Sequence, residues 1–198
     1  MIHRDTPGVR IEAEWWPPTR MHACVGPAVH FEDCLIPEDS ILGTPGAFKA
    51  GNWLGKFHLA FTSNYLGAAQ GMYDWIVPYM QQHGTAKDPN RQTFVGELKA
   101  RLDATRLLVY RIGKMYRTDF RQAQLLAVEA KCMAQATLYR LMELGGDLAG
   151  STAFVERYPL ERFYRDMHVH GLHSRPVAAA QLIGSAQLGE PYDIDRMR

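Results

Sequence analysis

Cysteine, net charge and long apolar runs are all scarce in this 198-residue chain. Its cysteines, Cys24, Cys34 and Cys132, are odd in number and far apart, so we predict reduced thiols of a cytoplasmic protein and not a disulfide framework. A formal net charge of +1 gives no electrostatic reason to expect nucleic acid or an acidic membrane as a partner. No apolar run approaches the ~20 residues of a membrane span, and residues 1–5 lack the apolar stretch of a signal peptide.

What is present is an ordinary globular composition, 46% hydrophobic and 22% charged. The first 45 residues differ from the rest, because residues 9–13 and 29–32 alternate apolar and polar side chains, as half-buried strands do. Two or three strands do not form a stable sheet alone. We therefore expect a short β extension over residues 1–45 and a separate domain over residues 46–198.

From about Phe48 onward, apolar residues recur at alternating spacings of three and four, which predicts helices with one buried stripe each. The clearest stripe comprises Val95, Leu98, Leu102, Thr105, Val109, Ile112 and Tyr116. A second comprises Leu125, Val128, Cys132, Tyr139 and Met142, with Gln135 as its polar member, and a third Leu54, Phe57, Phe61, Tyr65, Ala68, Met72 and Trp75. Shorter helices are predicted from Leu160 and over residues 177–188. The expected fold is mainly α, an up-down four-helix bundle with a short N-terminal β extension.

Four short segments stand in an informative order along the chain. They read V-H-F-E-D-C-L-I-P at 29–37, N-Y-L-G-A-A-Q-G at 64–71, E-L-G-G at 143–146 and L-E-R-F-Y-R-D at 160–166. Together they resemble the C-terminal half of the acyl-CoA dehydrogenase superfamily. The resemblance implies that residues 1–45 are the last strands of a middle β-domain and that residues 46–198 are the C-terminal helical domain. The rest of the middle domain and the helical domain before it have no counterpart here.

A group of histidines, His168, His170 and His173, follows the last of these segments. The spacing H-x-H-x-x-H could suit a metal, but no carboxylate or cysteine pattern accompanies it, so we predict no metal site. His170 and His173, with Pro176 behind them, also resemble the T-H-T-[LV]-H-D-P segment of the flavin-dependent monooxygenase branch of the superfamily. That resemblance implies that both histidines lie beside the reactive edge of a flavin, where a neutral imidazole can donate a hydrogen bond or accept a substrate proton. A purely structural role is the alternative.

Dehydrogenation of an acyl-CoA needs a carboxylate base, and the resemblance implies two possible positions for it. The glutamate of the family's Y-E-G-T segment falls on Ser174, with His173 before it. The glutamate of an alternative L-x-x-E-R segment falls on Phe57, with His58 at the arginine position. Serine does not act as a base at neutral pH without activation. Ser174 is therefore kept as a candidate catalytic residue, but ordinary acyl-CoA dehydrogenation by this chain alone is not expected.

Two polar positions that serve the cofactor in the family are apolar here. The arginine of R-x-x-F-G is replaced by Met80, and the glutamine three residues before the G-G pair is replaced by Met142. The resemblance implies FAD or FMN as cofactor, but these replacements predict weak or absent flavin binding by the isolated chain.

Three other candidate cofactor-binding residues remain: Gly145, Gly146 and Arg165. Glycine allows close approach of the backbone to a pyrophosphate, although a helix stop followed by a turn would use the pair equally well. Arg165 could bind phosphate, or it could pair with Glu161 or Asp166.

The sequence therefore predicts the flavin-site and oligomerisation portion of an acyl-CoA dehydrogenase-like, flavin-dependent oxidoreductase, incomplete for catalysis by itself. Whether the chain is an enzyme stays open. The alternative is a non-catalytic, flavin-free oligomerisation subunit, or the partner of a separately encoded N-terminal flavoprotein half. We expect a homo-oligomer, a dimer or tetramer. The Trp15-Trp16-Pro17-Pro18 segment of the β extension would leave apolar surface for another chain.

Overall fold

A computed structural model describes residues 1–15 and 19–194, with the side chains of Leu54 and Ser174 left out of the description. Two units can be distinguished by their internal contacts, Met1–Gly51 and the residues from Asn52 onward. That the first unit is the remnant of a middle β-domain stays a prediction.

The first unit contains one antiparallel pair of strands. Strand β1 (Val9–Glu12) pairs with β2 (Ala28–Phe31), with Val9 opposite Phe31 and Glu12 opposite Ala28. Many of its large apolar side chains are exposed, among them Ile11, Trp15, Val29, Phe31 and Leu35. The pairing of β1 with β2 confirms both predicted strands. Trp15 is exposed, while residues 16–18 of the predicted contact segment lie outside the described residues.

Six helices follow in the described part of the chain: α1 (Ala47–Ala50), α2 (Trp53–Gln82), α3 (Pro89–Met115), α4 (Phe120–Ala149), α5 (Leu160–Gly171) and α6 (Pro176–Gln187). Local sequence explains the ends of the long ones. Helix α2 stops before Gly84, whose φ of 73° is favourable for glycine. The Asp88 side chain accepts from Asn90 N at 2.9 Å, and Asp119 accepts from Gln122 N at 3.0 Å, so both act as N-caps.

The three long helices form the main core. Helices α3 and α4 run antiparallel, as shown by the Arg91–Leu148 hydrogen bond at one end and the Thr105–Thr137 hydroxyl contact of 3.4 Å in the middle. Helices α2 and α4 run parallel, since Gln124 bonds to Asn52 at the start of both helices and Gly145 lies against Ile76 near their ends. The shorter helix α5 packs on both of them, and α6 packs on α4. The mainly α architecture with a small N-terminal sheet is therefore confirmed.

The predicted buried stripes hold in most places. On α3, Leu98, Leu102 and Ile112 are fully buried. On α2, the prediction is wrong for Phe57, which is 45% exposed. Among the described residues, none of the helices is both long and apolar enough to cross a membrane.

Candidate functional site

The C-terminal end of α5 places His170 against α2. Its ring centroid lies 5.1 Å from that of Tyr65 and 5.8 Å from that of Phe61. Its Nε2 atom is buried and has no hydrogen-bond partner among the described residues. A buried imidazole nitrogen without a partner costs free energy, so such an atom in a native fold calls for a functional explanation.

His173 lies beside His170, whereas His168 does not. The His170 and His173 rings are 6.2 Å apart, and His173 is exposed. His168 is exposed on another face of α5, with its ring 6.5 Å from that of Tyr139. Within the described residues, no cluster of histidine, cysteine and acidic side chains could hold a metal ion. The side chain of Ser174, the third candidate catalytic residue, lies outside the described set.

Burial sets the protonation state of His170. It lowers the pKa of the imidazole below its ordinary value, and the neighbouring His173 lowers it further. His170 is therefore neutral at pH 7, with one ring nitrogen able to donate and the other able to accept a hydrogen bond.

Two polar side chains from the bundle fix the end of α5. Tyr65 donates its hydroxyl to the carbonyl of His170 at 3.2 Å, and Gln135 Nε2 donates to the carbonyl of Gly171 at 2.8 Å. Gly171 also lies so close to the Tyr139 hydroxyl that a Cβ would collide with it. Sequence reasoning marked Gln135 as the polar member of an apolar stripe but did not connect it with the histidines. Its polarity at a buried position was the available signal.

A second group, missed from the sequence, is buried next to this one. His58 is 6% exposed, and both of its ring nitrogens lack hydrogen-bond partners among the described residues. Lys131 is 4% exposed, and its Nζ lies 5.4 Å from the Phe61 ring centroid. Burial and then the Lys131 charge lower the pKa of His58 to about 4, against a smaller opposite effect of the Ile194 backbone. Burial also lowers the pKa of Lys131.

The Gly145–Gly146 pair lies inside α4, which continues to Ala149. The alternative of a helix stop at this pair is therefore wrong, because the helix ends at Gly150 with φ 79°. A Cβ on Gly145 would stand 3.1 Å from both Ile76 Cδ1 and the Tyr164 hydroxyl. Tyr164 donates that hydroxyl to the Met142 carbonyl. The absence of a side chain at Gly145 thus allows Ile76 of α2 and Tyr164 of α5 to pack closely against α4.

Arg165 pairs within its own helix. Its Nη1 lies 3.2 Å from Glu161 Oε1, and its Nε lies 3.1 Å from Asp166 Oδ1. It also lines a surface pocket of about 420 Å³ together with Arg157 and Arg162.

The structure brings His170 and His173 together and places Gly145 against Tyr164. Tyr164 is six residues before His170, roughly 9 Å along the helix axis.

Comparison with known proteins agrees with this geometry. The family model for the acyl-CoA dehydrogenase C-terminal domain matches residues 59–176. The putative acyl-CoA dehydrogenase YdbM of Bacillus subtilis is 26% identical over 189 residues, covering 89% of this chain and 48% of that protein. The human mitochondrial short-chain specific acyl-CoA dehydrogenase is 29% identical over 169 residues, covering 82% of this chain and 41% of that protein. The chain thus spans less than half the length of these relatives.

A solved structure with a similar fold is dibenzothiophene monooxygenase TdsC of Paenibacillus sp. A11-2. Its TM-score is 0.87 at 22% identity, covering 99% of this chain and 56% of that one. TdsC has also been solved as a complex with FMN and indole. Since the family model matches more than half of the residues, the chain belongs to the acyl-CoA dehydrogenase family and corresponds to its C-terminal domain.

Proposed function

We propose that this chain supplies one wall of the flavin and substrate site of a cytoplasmic flavin-dependent oxidoreductase of the monooxygenase type. The observation that carries the proposal is the buried Nε2 of His170, which has no partner among the described residues and is held beside His173. A flavin would supply the redox chemistry when bound, either FAD or FMN. The two histidines would donate a hydrogen bond to it or accept a proton from the substrate.

The residues of the chain fit this cofactor at one end of the proposed site and not at the other. At the histidine end, an unpartnered nitrogen is available for a polar ligand atom. At the glycine end, Tyr164 and Ile76 fill the space beside Gly145, and Arg165 is paired with the carboxylates of Glu161 and Asp166. Met80 and Met142, at the positions of two family ligands, are part of the buried core. Weak flavin binding by the isolated chain follows from this difference.

His170 and His173 have separate parts in the proposal. His170 is half-buried and neutral, with a buried Nε2, and its backbone carbonyl is fixed by Tyr65, so it would hold or accept a proton at a defined position. His173 is exposed beside it and would pass that proton to solvent.

Addition of FMN or FAD to the ¹³C-histidine-labelled chain tests the proposal. Selective shifts of the His170 and His173 ring resonances, absent from His168, are expected even where binding is weak. If a flavin-bearing partner restores turnover, His170→Ala and His173→Ala should lower it by roughly 10²–10⁴-fold. His168→Ala is the matched control, because His168 is exposed on the same helix. Uniform shifts, or equal effects of all three variants, would contradict the assignment.

The second candidate is a flavin-free oligomerisation subunit, or the partner of a separately encoded N-terminal flavoprotein half. The internal pairing of Arg165 and the core positions of Met80 and Met142 favour it. Both candidates predict a dimer or tetramer by light scattering. A chain that remains colourless after incubation with FAD and shows no histidine shifts would decide for the second.

A further inference from the structure

The ring of Phe61 lies among buried basic side chains. Lys131 Nζ is 5.4 Å from its centroid and the His170 ring is 5.8 Å away, while His58 lies one helical turn before it on α2. Among the described residues, no ion pair joins Lys131 or His58 to an acidic side chain. This basic cluster, defined as His58, Lys131 and His170 around Phe61, carries buried donors on three helices.

Such an arrangement is costly unless an anion binds to it. A largely buried ammonium loses much of its hydration, and a buried imidazole with two unsatisfied nitrogens loses its hydrogen bonds with water. Lys131 is 4% exposed and His58 6%, so solvent makes up little of that loss. Phe61, by contrast, is only partly buried.

We propose that His58 and Lys131 bind the carboxylate of a small aromatic acid, with its ring against Phe61. A carboxylate has two acceptor oxygens, one for the Lys131 ammonium and one for an N–H of His58. The partly buried ring of Phe61 suits a flat aromatic ring, and it lies 5.8 Å from the ring of His170. The inference names the chemical class of the substrate for the proposed function. It rests on that function only where it gives His170 a role beside the bound ring.

Benzoate is the probe, and neutral benzamide is its isostere. In calorimetric titration of the flavin-free chain, benzoate should bind saturably at one site and at least about tenfold more tightly than benzamide, because hydrogen bonds to a charged group are the strong ones. Benzoate should also shift the ring resonances of His58. Lys131→Met should weaken benzoate binding by at least about tenfold and leave benzamide unchanged.

Lys114→Met is the matched control, since it removes the same charge from an exposed position near the end of α3. Circular dichroism of each variant verifies that it is folded. His58→Gln, which keeps polar atoms at the site, should weaken benzoate binding less than Lys131→Met does.

Equal affinity for benzoate and benzamide, or equal loss in the Lys131 and Lys114 variants, would overturn the proposal. None of these measurements involves flavin, so failure here leaves the test on His170 and His173 independent.

Discussion

Acidification should destabilise this protein through His58. Burial and the Lys131 charge lower the pKa of this imidazole to about 4 in the folded chain, whereas an unfolded chain has the ordinary value near 6.5. Between these two values the unfolded state binds more protons, so stability falls as the pH drops below about 6.5 and the loss levels off below about 4. Nothing is lost above pH 7.5, where the imidazole is neutral in both states.

The size of the effect follows from the two pKa values. At pH 5 the linkage relation gives a loss of about 2 kcal/mol from His58 alone, approaching about 3 kcal/mol at lower pH. His58→Leu removes the titrating group and the two unsatisfied nitrogens. Carboxylates contribute to acid denaturation of the unchanged chain and of His58→Leu alike. The difference between their losses of unfolding free energy therefore isolates the contribution of His58.

Urea unfolding followed by circular dichroism at pH 7.5 and pH 5.0 measures this difference. The free energy of unfolding of the unchanged chain should fall by about 2 kcal/mol more than that of His58→Leu. Parallel loss in the two proteins would refute the reasoning, because it would show that His58 titrates normally in the fold. Lys131→Met offers an internal check, since removing the second cause of the low pKa should reduce the loss.

Other predictions concern glycine, capping and ion pairing. Gly145→Ala should lower stability by roughly 1–3 kcal/mol through overpacking, since its Cβ would press on Ile76 and Tyr164, whereas Gly146→Ala, with nothing nearer than 3.7 Å, should be neutral or stabilising in the same urea assay. Asp88→Ala should cost about 1 kcal/mol through loss of the N-cap of α3 in thermal unfolding. Arg140→Lys should raise the pKa of Glu97 from about 2 towards its usual value, because two 3.0 Å hydrogen bonds from one guanidinium are lost. Carboxyl NMR measures this pKa. An unchanged pKa would show that Arg101 alone holds Glu97 ionised.

Local chemistry in the sequence was sufficient to predict the helices. Apolar spacing of three and four predicted the stripes of α2, α3 and α4. The helix ends are marked locally too, by Asp119 and Pro89 at the start of α4 and α3 and by Gly84 after α2, because capping depends on residues within one turn of each end. The motif order predicted the family, and the histidines that follow its last segment lie at the end of α5, with His170 inside the helix and His173 just beyond it.

The site depended on contacts between residues far apart in sequence. From the local sequence, a helix that ends at the Gly145–Gly146 pair cannot be distinguished from one that continues through it. Only the packing of Tyr164 and Ile76 against Gly145 shows that α4 continues. His58 occupies the position of a family arginine, and Lys131 stands beside Cys132 of a predicted apolar stripe without belonging to it. Periodicity alone therefore assigns neither of them a function. Their burial around Phe61 appears when α2, α4 and α5 come together, because the loss of water from charged and polar groups is a property of the packed interior and not of any segment.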